Sequence, residues 1–85
     1  MKMSVECGSK GNWNNIINTL TAMSEFKVTY IGPDKMKPIA MLFEVEHEDA
    51  DHIIKTMKKA IKATDYGKSI MFRIVPYGQL VYFAS

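Results

Sequence analysis

The sequence predicts an α+β domain with the element order β-α-β-β-α-β and a further strand at its C-terminal end. Three observations carry this expectation. Phe26, Val28 and Tyr30 alternate with Lys27 and Thr29, the period of two that marks a half-buried strand. Ile39, Met41, Phe43 and Val45 then alternate with Ala40, Leu42, Glu44 and Glu46. Finally Ala50, Ile53, Ile54, Met57, Ala60, Ile61 and Thr64 recur at i, i+3, i+4, i+7, the apolar stripe of an amphipathic helix.

Taken in order, Met3, Val5 and Cys7 alternate with Ser4 and Glu6, which predicts a first strand near residues 2–7. Gly8 to Asn12 is a loop. Trp13, Ile16, Ile17, Leu20 and Met23 predict a helix over 12–24. Its outer face (Asn14, Asn15, Asn18, Thr19, Thr21) is uncharged and made of weak helix formers, so packing must hold it. The strand from Phe26 is expected to stop at Ile31-Gly32-Pro33-Asp34, where glycine and proline restrict what can follow. The strand at 39–45 is apolar on both faces at its start and is placed centrally in the sheet. For the second helix Asp49 is the expected N-cap and Gly67 the expected C-terminal stop. Glu48, Asp49 and Asp51 crowd its start and lysines its end, complementing the helix dipole. Ile54→Asp is expected to unfold the chain, because the burial of one such side chain contributes about 1.5–3 kcal/mol. Lys68 to Val75 predicts another strand, Pro76 to Gln79 a turn, and Leu80 to Phe83 a last apolar run.

The 85 residues suffice for a single domain, 1–85, with one core. Net charge is +2, too slight to imply a polyanionic partner from composition alone. One cysteine forms no internal disulfide. No apolar run reaches the ~18 residues of a spanning helix, and the N-terminus lacks the apolar core of a signal peptide. A cytoplasmic protein with no membrane partner is the expectation.

With both helices on one face of an antiparallel sheet, this order is that of the ferredoxin-like fold. Phe26-Lys27-Val28 with Ile31-Gly32, Met41-Leu42-Phe43-Glu44-Val45, and Phe72-Arg73-Ile74-Val75-Pro76 resemble in layout the small dimeric α+β barrel domains. Gly11, Trp13, Ile16 and Leu20, followed by Phe26-Lys27-Val28, are also similar to the opening of ACT-type regulatory domains. Ser9 and Lys10 stand where that family carries a proline and an acidic residue, which puts amino-acid binding in doubt. The first resemblance implies pairing of two protomers sheet to sheet. Neither brings a catalytic signature.

Four groups of residues are candidates for function. The Gly8, Ser9, Lys10, Gly11, Asn12 loop precedes a helix, where backbone N–H groups can hold a phosphate or carboxylate. It is no Walker A loop, and Cys7 beside it reads as a small core residue. Glu44, Glu46, His47, Glu48, Asp49, Asp51 and His52 form an acidic–histidine run. Solvation and dipole matching account for it, since two histidines five apart miss the i, i+4 register that puts two ligands on one helix face. No metal and no other cofactor is expected. Lys55, Lys58, Lys59 and Lys62 form a basic helix face, with Lys35 and Lys37 nearby. The RNP1 pattern of RNA-binding domains is missing, so nucleic acid is not the expected partner.

The fourth group is the sheet face that two helices cannot cover. It is expected to hold Ala40, Leu42, Met71 and Val75, with Leu80 and Tyr82 at its edge. An open apolar patch of this kind calls for a partner, and a second copy of the chain would form an isologous dimer. The leading expectation is therefore a non-enzymatic binding module that self-associates through its sheet, with another protein as a further possible partner. The alternatives are a small dimeric α+β barrel enzyme or ligand-sensing domain, using Tyr30, Arg73 or His47, and a nucleic-acid binder using the lysine face.

Overall fold

A computed structural model describes residues 1–78. Within them the chain runs β1 (Lys2–Glu6), α1 (Trp13–Thr21), β2 (Val28–Pro33), β3 (Ala40–Val45), α2 (Ala50–Lys62) and β4 (Arg73–Pro76), with 3₁₀ turns at Lys10–Asn12 and Tyr66–Lys68. The strands form one antiparallel sheet in the order β2-β3-β1-β4. β3 is central, as its two apolar faces predict. The fifth strand expected at Leu80 to Phe83 lies outside the described residues.

The core is a single apolar layer. Met3 and Val5 of β1, Met41, Phe43 and Val45 of β3, Val28 of β2 and Ile74 of β4 share one sheet face. Ile16 and Leu20 of α1 and Ile53, Met57 and Ile61 of α2 pack on it. Both helices therefore cover the same face. Trp13, Ile17, Met23 and Ile54 border the cluster and are half-buried. Ile53, which is fully buried, is thus the more damaging site for a charge than Ile54.

The two helices are held differently. At α2, the Asp49 carboxylate accepts a hydrogen bond from the His52 backbone N–H at 3.2 Å, the predicted N-cap. α1 has no side-chain cap and no charge in its first or last turn. It is tied down from elsewhere in the chain. Trp13 Nε1–H donates to the Cys7 carbonyl at 2.9 Å, and the Tyr66 hydroxyl donates to the Asn15 carbonyl at 2.9 Å and lies 2.6 Å from Thr19 Oγ1.

Several boundaries differ from the sequence expectation. β2 begins two residues later than Phe26 and runs through Pro33 instead of stopping at Ile31. A bulge between Tyr30 and Gly32 absorbs the extra residue, with Gly32 at φ 148°, a conformation that disfavours any side chain. Pro33 and Pro76 are tolerated because, among the described residues, β2 and β4 are the sheet edges. Ile39 precedes β3 and is exposed. β4 is shorter than 68–75: Lys68 and Ser69 belong to the turn after α2, and Met71 stands outside the sheet. α2 ends at Lys62, ahead of Gly67. Thr64 Oγ1 donates to the Ile61 carbonyl at 2.6 Å and accepts from the Gly67 N–H at 3.0 Å. Gly67 is needed for space, since a Cβ there would lie 1.8 Å from the Ile61 carbonyl oxygen.

Candidate functional site

The sheet face away from the helices carries the side chains that alternate with the core. These are Lys2, Ser4 and Glu6 on β1, Ala40, Leu42 and Glu44 on β3, Thr29 on β2, and Arg73 and Val75 on β4. The β2–β3 hairpin loop folds over part of this face. The Asp34 carboxylate accepts from the Met36 N–H at 2.9 Å, turning the chain. Lys37 then spans β3 and donates to the Glu6 carboxylate on β1 at 2.8 Å. On the same face Ala40 is fully buried and Leu42 is 8% exposed. They are not open surface in the single chain.

What the loop leaves open is a cleft of about 250 Å³. Ser4 and Glu6 form its floor, Asp34, Met36 and Lys37 one wall, and Val75, Pro76, Tyr77 and Gly78 the other. Its lips are apolar: Met36 is 90% exposed and Tyr77 49% exposed. Lys2 Nζ sits 4.3 Å from the centre of the Tyr77 ring and holds it by a cation–π contact. Gly78, at φ 84°, stands at the rim in a conformation that favours glycine. Of the residues expected on this face, Val75 lines the cleft, Ala40 and Leu42 are buried, and Met71 is elsewhere. Leu80 and Tyr82 lie outside the described residues.

The acidic–histidine run folds in a way that its spacing did not suggest. His47 precedes α2 rather than riding on it, and its Nδ1 accepts from the Asp49 N–H at 3.1 Å. Asp49 in turn caps the His52 N–H. This chain of bonds brings the two imidazoles to 4.9 Å between centroids, with Phe26 packed on them at 5.7 and 6.1 Å. Among the described residues no group of three or more His, Cys, Asp or Glu side chains is placed to hold a metal ion.

At the Gly8–Asn12 loop, Ser9 Oγ accepts from Asn12 Nδ2 at 3.0 Å, and Lys10 Nζ lies 5.5 Å from the Trp13 ring centre. Cys7 is buried. Of the residues weighed for an enzyme, Tyr30 packs on Phe43 with centroids 5.2 Å apart, and Arg73 is exposed. Lys55, Lys58, Lys59 and Lys62 are all exposed and line one shallow depression with Ala63. Sequence reasoning missed the Lys37–Glu6 bridge and the cleft beside it. An Asx turn at Asp34, two residues before Met36, was the one local signal available. No protein-family model, curated protein or solved structure matches the chain.

Proposed function

We propose that this chain is a small non-enzymatic binding module that self-associates through the sheet face opposite its helices, with the cleft at the centre of the contact. The observation that carries this reading is the pair of exposed apolar lips, Met36 and Tyr77, on either side of a cleft floored by Ser4 and walled by Val75. At about 250 Å³ the cleft is smaller than the ~300–1,000 Å³ of sites that enclose a small organic ligand. It matches one or two inserted side chains. The face also carries both signs of charge, Lys2 and Arg73 against Glu6 and Glu44. A two-fold axis can set opposite charges across such a surface.

The strand order, with β1 between β3 and β4 and β3 between β1 and β2, supports a ferredoxin-like arrangement, and that arrangement leaves one sheet face for association. A reducing, cytoplasmic setting suits the single buried thiol of Cys7. Sedimentation equilibrium from low to high micromolar chain tests the proposal. The expected mass rises to twice that of one chain, and Met36→Asp with Tyr77→Asp returns it to one. A single-chain mass across the whole range overturns it.

A further inference from the structure

Met71 is 92% exposed, an unusual position for a long apolar side chain. It does not stand alone. Met71, Ile70 and Phe72 line a depression with Lys58 and Lys62, and the same two lysines line the adjoining one with Lys55, Lys59 and Ala63. Four ammonium groups and one projecting thioether thus share one continuous surface on the helix side of the molecule. Among the described residues, none of the four lysines pairs with a carboxylate. The neighbouring acids sit at the margins: Asp51 one turn before Lys55, Glu25 across from Lys55 and Lys59, and Asp65 three residues past Lys62. The part nearest Met71 is wholly basic.

We propose that this surface docks peripherally on an anionic phospholipid bilayer, with Lys55, Lys58, Lys59 and Lys62 at the headgroups and Met71 entering the acyl boundary. No helix among the described residues is long and apolar enough to cross a membrane, so the contact is one of lying on the surface. The chemistry favours lipid over nucleic acid on three counts. The cations are all lysine, point charges without the planar fork with which arginine clasps phosphate and base edges. Phe72, the aromatic of the patch, is half-buried with Lys62 Nζ 5.7 Å from its ring centre, so a lysine already occupies a ring face that a base would stack on. Met71 gains nothing against a phosphodiester, but it leaves water when it enters acyl chains. Lysine stems can lie along the same boundary while their heads stay hydrated. The patch is on the helix layer, so association through the opposite sheet face leaves it free, and the two proposals stand or fall separately.

Co-sedimentation of the full chain with vesicles tests it. Phosphatidylcholine containing about 30 mol % phosphatidylserine is compared with phosphatidylcholine alone. Binding is expected only with the anionic lipid and is expected to fall steeply as salt is raised. Each lysine lost should weaken it about fivefold, so Lys58→Ala with Lys62→Ala should cost about 25-fold. Met71→Ser should weaken it several-fold while the far-ultraviolet spectrum and melting stay unchanged, because the side chain is almost wholly exposed. No binding to anionic vesicles, equal binding to neutral ones, or a Met71→Ser variant that binds as wild type would each overturn the proposal. So would a single- or double-stranded oligonucleotide bound more tightly than the vesicles.

Discussion

The two faces of the sheet are built from alternate residues of the same strands, yet they solve different problems. The helix-covered face is uniformly apolar and closed: Met3, Val5, Met41, Phe43 and Val45 are fully buried against α1 and α2. The opposite face mixes small, charged and apolar groups, some buried (Ser4, Ala40, Leu42) and others exposed (Thr29, Glu44, Arg73). Phe43 and Leu42 are adjacent in β3 and both are buried, but Phe43 belongs to the core cluster and Leu42 does not. Burial alone does not show which residues hold a fold together. What lies on the other side of each residue does.

The largest effect should come from Phe43→Ala, which opens a cavity where both helices meet the sheet. It should cost about 3–5 kcal/mol in denaturant unfolding, a large fraction of the ~5–15 kcal/mol total stability of a domain this size. Leu42→Ala, one residue along, should cost less, about 2–3 kcal/mol, because Leu42 lies outside the core cluster. Equal losses at the two positions would mean the faces are not energetically distinct. Asp49→Ala removes the cap of α2 and should cost about 1 kcal/mol. It should also separate His47 from His52, which the imidazole proton shifts would report. Glu6→Gln should cost under about 1 kcal/mol, since Lys37 is partly exposed and such pairs are worth little. Smallest of all, Met36→Ser should leave single-chain stability within about 0.5 kcal/mol of wild type.

Much of the helix-covered face was legible in the sequence. The stripe of α2, its Asp49 cap and the central place of β3 follow from periodicity and helix-end chemistry, which are local. The partly open face was much less legible. Ile31-Gly32-Pro33 reads as a stop, yet the glycine permits a bulge and the edge position excuses the proline, so β2 continues. Met71 fits the alternation of a strand from Lys68, but the 3₁₀ turn at Tyr66–Lys68 delays the strand to Arg73. That turn is tied to α1 through the Tyr66 hydroxyl, a contact between residues far apart in sequence. The Lys37–Glu6 bridge joins residues 31 apart, and Ala40 and Leu42, expected as open surface, are buried. The candidate site moved with it, from the middle of β3 to the cleft between the loop and β4.

The central claim is that the chain meets a second copy through this cleft face. Isotope-filtered nuclear Overhauser spectra on a mixture of labelled and unlabelled chains test it most directly. Pairing through the cleft face should give intermolecular contacts at the Met36 and Val75 methyls and the Tyr77 ring, and none at Met71. Contacts confined to α2 and Met71, or no intermolecular contacts at all at high concentration, would contradict it.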